Sequence, residues 1–257
     1  MKETQYDLFL FAGQSNMAGR GVTSPRWPET APALTSGAGL EYRAVSDPGN
    51  LYPIAEPFGA AENDPDGIFE PGMKTGSLVT AFVNAYYAGA GVPVIGVSAS
   101  KGGSAIARWQ GRGDLLTDAL GRFERARRYL AGREIPIRHR YLLWCQGETD
   151  GDHGTAPDAY KAMFDNMMAR CRAAGLEHCF LIAIGQYNGG KGFDYAAIHR
   201  AQLELAAERP DVTLVSDAFW SMRDRGLMKD DFHYYQQAYN EVGTAAGVGR
   251  GPLEKKA

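Results

Sequence analysis

Five short apolar runs dominate the chain: Tyr6–Phe11, Val92–Val97, Arg140–Cys145, Cys179–Ile184 and Val212–Val215. Each is nearly continuous rather than alternating, as a strand reads when both faces of its sheet are covered. Segments of helical period lie between them. Leu78–Ala90 carries Leu78, Phe82 and Tyr86 on one face, and Leu115–Leu130 carries Leu116, Leu120, Phe123 and Ala126. Tyr160–Ala174 and Tyr195–Glu208 repeat the pattern, the second stopping at Arg209-Pro210. Strand alternating with helix predicts a doubly wound α/β sheet with right-handed crossovers.

The exception runs from Gly19 to Gly76, rich in Gly, Pro, Asp and Asn and without clear period. A connection of that length with no structure of its own is uncommon and usually functional. The 257 residues therefore read as one domain, 1–257, with a long loop insertion around 19–76 that shapes a cleft. The tail Arg250–Ala257 is polar and expected to fray.

Net charge is −3 and the pI near 6.0, which argues against nucleic acid or an anionic membrane as partner. No apolar run approaches the ~20 residues that span a bilayer. No secretory leader is visible at the start of the numbering. Cys145, Cys171 and Cys179 show no framework spacing and read as reduced thiols. The expected setting is cytoplasmic, or exported with the signal absent from this numbering. The five histidines contain no pair at metal-ligand spacing, so neither metal nor cofactor is expected.

Four motifs sit where strands end. Gly13-Gln14-Ser15-Asn16-Met17 follows the first run and places a serine at a strand-to-helix turn, within reach of a base and a carbonyl. A helix N-cap would use the same residue types, and Met17 departs from the G-x-S-x-G elbow. Lys101-Gly102-Gly103-Ser104 follows the second run; its Gly pair suits a backbone oxyanion donor or simply a tight turn. Trp144-Cys145-Gln146-Gly147-Glu148-Thr149-Asp150 leaves the third run with polar groups that would be costly if buried unpaired. Asp230-Asp231-Phe232-His233 supplies a base and an acid to orient it.

Taken together, G-Q-S-N-M, K-G-G-S, W-x-Q-G-E-x-D and D-x-x-H resemble the SGNH (GDSL-type) hydrolase superfamily. The likeness is closest to its branch of sialate O-acetylesterase-like proteins and carbohydrate esterase family 6 acetylxylan esterases. It implies a three-layer α/β/α sandwich around a parallel five-stranded sheet, flavodoxin-like in architecture. It also implies that Ser15 is the nucleophile, His233 the general base and Asp230 its acid partner, with Glu148 ranked second for that acid role and Asp231 third. The implied oxyanion donors are the backbone N–H groups of Ser15 and Gly103 and the side chain of Gln146.

The implied reaction is removal of O-acetyl groups from a carbohydrate through an acetyl-enzyme. Trp27, Tyr42, Tyr52, Phe58, Phe69 and Trp109 are candidate sugar-stacking rings, although loop anchoring explains any one of them. Arg108 is a candidate for a sugar carboxylate or a helix-end arginine. Acetylated xylan and acetylated sialate both fit. Two other readings compete: an SGNH lipase or thioesterase for longer acyl chains, which needs an apolar tunnel, and a non-catalytic carbohydrate-binding protein of this fold.

Overall fold

The chain builds a seven-stranded sheet in the order β3-β2-β4-β1-β5-β6-β7. The structure is a computed structural model, and it describes residues 4–22, 29–111 and 115–249. All five expected strands are present: β1 Tyr6–Gly13, β4 Val94–Ser100, β5 Ile137–Cys145, β6 His178–Ile182 and β7 Val212–Ser216. Two more, β2 Gly39–Tyr42 and β3 Leu51–Pro53, come from the segment read as a loop, which corrects the expected count of five. β2 pairs with β4 in parallel, and β3 runs antiparallel on the edge.

Helices cover both faces, as the continuous runs require. Along β1, Leu8, Leu10 and Ala12 enter one core with α3 Leu115–Gly132, α5 Pro157–Ala173 and α6 Ala196–Glu208. Phe9 and Phe11 enter the other core, with α2 Val79–Ala90 and α7 Gln236–Val248. This is the three-layer α/β/α arrangement. The short helices α1 Ser15–Ala18 and α4 Glu148–His153 sit directly at strand ends. No helix among the described residues is long and apolar enough to cross a membrane.

Register sets the site. Gly13 at the end of β1 pairs with Ser100 of β4 on one side and Cys145 of β5 on the other. The three central strands therefore finish level. Consecutive strands β4 and β5 lie on opposite sides of β1, so the chain reverses its travel across the sheet there. The crevice outside such strand ends is where open α/β sheets place ligands.

The segment 19–76 is held by buried carboxylates more than by ladders. Glu62 accepts from Val45 N, Ser46 N and Ser46 Oγ. Glu56 accepts from Phe58 N, Ser77 N and Thr80 N. Arg122, fully buried on α3, donates to the carbonyls of Glu62, Ile68 and Ser98 and pairs with Asp118. Irregular backbone can be buried here because these side chains satisfy it.

Candidate active site

Ser15 lies at the first turn beyond β1, 6% exposed. The turn needs glycine at position 13, where φ is +143° and a Cβ would stand 2.0 Å from the Cys145 carbonyl oxygen. Gln14 N donates to that same oxygen at 2.9 Å, and the chain then enters α1. His233 Nε2 stands 3.0 Å from Ser15 Oγ, and His233 Nδ1 3.0 Å from Asp230 Oδ2. Asp230 Oδ1 accepts from Phe232 N and His233 N at 2.8 and 2.7 Å, so one carboxylate closes the loop and orients its imidazole.

Burial alone would raise the Asp230 carboxyl. The hydrogen bonds from the His233 ring and from the Phe232 and His233 backbone outweigh burial and hold it well below the usual carboxylate range. An ionised Asp230 can only accept, so Nδ1 carries the proton and Nε2 is left to accept from the Ser15 hydroxyl. The loop is docked from outside as well. Lys229 N donates to His233 O at 2.9 Å, and Tyr239 of α7 donates to Asn16 Oδ1 at 2.7 Å. Asn16 Nδ2 in turn donates to Phe232 O at 3.2 Å.

Three N–H donors at this point have no acceptor within the described fold: Ser15 N, Gly103 N and Gln14 Nε2. Gly102 N is already given to Glu70 Oε2 at 2.8 Å. Gln14 Oε1 accepts from Gly147 N and Thr149 N at 3.2 and 3.3 Å. That fixes which end of the amide is oxygen and leaves Nε2 free in a residue that lines the cleft.

The resemblance implied Gln146 for the third donor, and here the structure corrects the expectation. Gln146 is wholly buried, with Nε2 donating to Ser104 O at 3.0 Å and Asp150 Oδ2 at 2.5 Å. Its Oε1 accepts from Tyr160 OH at 3.2 Å. Both amide hydrogens are spent inside the protein, and the residue backs Gln14 rather than facing the cleft. Sequence reasoning missed Gln14 because two glutamines at two strand ends look alike until burial separates them.

Glu148 makes no hydrogen bond to His233. It is 3% exposed and accepts from Asn16 Nδ2 at 2.5 Å through Oε1, and burial pushes its carboxyl up. Asp231 faces elsewhere, with Tyr187 OH 3.3 Å from its Oδ2. The structure thus brings Ser15, His233, Asp230 and Gly103 together, sets Glu148 in the wall beside them, and leaves Asp231 and the Gln146 side chain out.

The cleft has a volume of about 280 Å³ and is lined by Gln14, Ser15, Gly103, Glu148, Asp152 and His233 among others. A larger cavity of about 590 Å³ beside α2 contains none of these groups, and its one carboxylate, Glu56, is committed to backbone and hydroxyl donors. Among the described residues no group of three His, Cys, Asp or Glu is placed to hold a metal ion.

The stacking rings are mostly structural. Trp109 is fully buried, edge-on to Trp144 with centroids 5.1 Å apart, and donates Nε1 to Ser104 Oγ. Tyr42 and Phe58 are core residues. Tyr52 is bonded to Asp47 under Arg43, whose guanidinium lies 4.1 Å from the ring centroid. Phe69 is exposed, Arg108 is exposed away from the cleft lining, and Trp27 lies outside the described residues.

With this geometry in place, the family comparison is decisive: the model described as carbohydrate esterase, sialic acid-specific acetylesterase, matches residues 5–247. The chain belongs to this family. No curated protein matches it in sequence. Among solved structures, a protein from Arabidopsis thaliana is similar at 22% identity and a TM-score of 0.67, over 95% of this chain and 96% of that one. A carbohydrate acetylesterase from Xanthomonas citri is similar at 18% identity and 0.57, over 93% of this chain and 55% of that one. An acetylxylan esterase from Geobacillus stearothermophilus gives 14% identity and 0.50, with full coverage of both chains. At these identities the likeness places this carbohydrate esterase family member in the SGNH-type fold.

Proposed function

We propose that the protein removes acetyl groups from the hydroxyls of a carbohydrate by serine-dependent ester hydrolysis. One observation carries this reading: a Ser15–His233–Asp230 hydrogen-bonded chain in a cleft whose lining residues Gln14, Ser15 and Gly103 keep N–H donors without an acceptor in the described fold. Membership of the carbohydrate esterase family supports the class of substrate, and the acetylesterases among the structural relatives support the acyl group.

The chemistry follows from the geometry. Ser15 Oγ attacks the acetyl carbonyl as His233 Nε2 takes its proton, while Asp230 stabilises the imidazolium that forms. The carbonyl oxygen becomes an oxyanion and is held by Ser15 N, Gly103 N and Gln14 Nε2. His233 then gives the proton to the departing sugar oxygen. Water, deprotonated by the same imidazole, cleaves the acetyl-serine and releases acetate.

The test is acetate release from p-nitrophenyl acetate and from acetylated xylo-oligosaccharides, for the wild type and Ser15→Ala. Both substrates are expected to turn over, and the variant to lose at least about 10⁴-fold in kcat. A Ser15→Ala protein releasing acetate at the wild-type rate refutes the reading. Activity that climbs from acetyl to octanoyl esters would favour a lipase instead.

A further inference from the structure

The mechanism leaves one wall of the cleft unused. Helix α4 turns Glu148, Thr149 and Asp152 toward the cavity that holds Ser15 and His233, and Phe232 borders it. Asp152 is half-buried. Its Oδ1 accepts from Tyr195 OH at 2.6 Å, and its Oδ2 has no partner among the described residues. Gly151 makes that contact available: a Cβ there would stand 2.3 Å from Tyr195 Cδ1, so the ring could not lie against α4. The fold spends a buried phenol on orienting one carboxylate and leaves the carboxylate's second oxygen open.

A second, independent observation lies beneath it. Glu148 Oε2 is buried and has no hydrogen-bond partner, although Glu148 lines the same cleft. An unpaired buried acceptor is costly unless something arriving in the cleft satisfies it. The wall runs from Gln14, whose Oε1 accepts from Thr149 N at 3.3 Å, to Phe232 and His233, which line the same cleft. The acyl oxygen must face Ser15 N, Gly103 N and Gln14 Nε2, so the leaving alcohol must lie toward His233 Nε2, which returns its proton. Glu148 and His233 line the same cleft.

We propose that Asp152, backed by Glu148, reads a free hydroxyl of the leaving sugar adjacent to the acetyl ester, with Phe232 against an apolar face of the ring. This rests on the esterase reading above and names the specificity of the same site.

Three esters test it: a mono-acetylated methyl xylopyranoside with a free neighbouring hydroxyl, its deoxy counterpart, and p-nitrophenyl acetate. Wild-type protein is expected to prefer the hydroxylated sugar to the deoxy one by about ten-fold or more in kcat/KM, carried mainly by KM. Asp152→Ala is expected to reduce that preference to about two-fold or less. Asp152→Asn keeps the acceptor for Tyr195 and puts an N–H donor in place of the free oxygen, so it is expected to weaken the preference without abolishing it, with an unchanged thermal midpoint. A wild type that treats the two sugars alike, or an Asp152→Ala protein that keeps the full preference, overturns the assignment while leaving the esterase reading intact. A wild type that releases acetate from none of the three removes the esterase reading and this one with it.

Discussion

Gln14 and Gln146 divide between them a task that one asparagine or glutamine could have done. Gln146 is locked in the interior and helps fix Oε1 of Gln14, and Gln14 presents its amide to the cleft. Removing the presenting group should therefore affect the transition state, and removing the backing group should affect the fold. Gln14→Ala is expected to lower kcat by about 10²–10³ with KM little changed. Gln146→Ala is expected to lower unfolding stability by about 2–3 kcal/mol, because Asp150 and Tyr160 lose a buried partner. Steady-state kinetics and denaturant unfolding on the two proteins separate these outcomes. Asp230 is legible at this scale too. Asp230→Asn is expected to cost about 10³–10⁴ in kcat by freeing the imidazole tautomer. The folded Asp230 carboxyl lies below its unfolded value, so its stabilisation is present above the ordinary aspartate pKa of about 3.9 and is lost as pH falls through the folded value. Unfolding free energies of wild type and Asp230→Asn should thus differ by a constant amount at neutral pH and converge in acid.

Among the elements, the segment 19–76 diverged most from its sequence. β2 reads Gly-Leu-Glu-Tyr, and a buried Glu41 at its centre hides the strand from any hydrophobic pattern. The carboxylate accepts from the neighbouring Arg43 Nε and from Gly59 N, the second a contact between parts of the segment that only the fold creates. Lys74 anchors the end of the same segment to β4, donating to Gly59 O at 3.1 Å and Ser98 Oγ at 2.9 Å. Burial, helped by the charges of Arg122 and Arg20 and opposed by Glu70, brings its ammonium down to about 8. Between that value and the unfolded value near 10.5 the unfolded chain binds more protons, so this residue's contribution to stability rises with pH across the window. Relative to Lys74→Met, the wild type should gain about 2–3 kcal/mol between pH 7 and pH 10. A pH-independent difference in denaturant unfolding would show that Lys74 titrates like a surface lysine. The missed helix α7 has a simpler cause: its two glycines and polar first turn mask its period, yet Gly243 is where α7 meets α2 backbone to backbone.

At the scale of the molecule, sheet register does most of the assembly. β1, β4 and β5 end at one level, so the Gln14-Ser15 turn meets Gly103 although the two motifs are far apart in the chain. His233 arrives from outside the sheet on a loop tied to α7, and α7 is seated on α2 through Leu78, Phe82, Ala238 and Val242. All three cysteines lie inside this assembly, and burial raises each thiol, Cys171 to about 12. The native protein should therefore give no reaction with dithiobis-nitrobenzoate, and all three thiols should react once it is unfolded. Rapid native labelling of any one of them would contradict this packing.

The sequence by itself determined the layer architecture and the main participants. Continuous apolar runs alternating with segments of helical period point to a sheet covered on both faces, and serine, histidine and aspartate carry chemistry that few other residue types supply. What the tertiary structure decided is which polar group of each motif faces the cleft. Gln14 against Gln146, Asp230 against Asp231 and Glu148, and Trp109 as core rather than platform are all questions of direction and burial. Those depend on the level at which neighbouring strands end and on which backbone groups need a partner nearby, and neither quantity is local to the residues concerned.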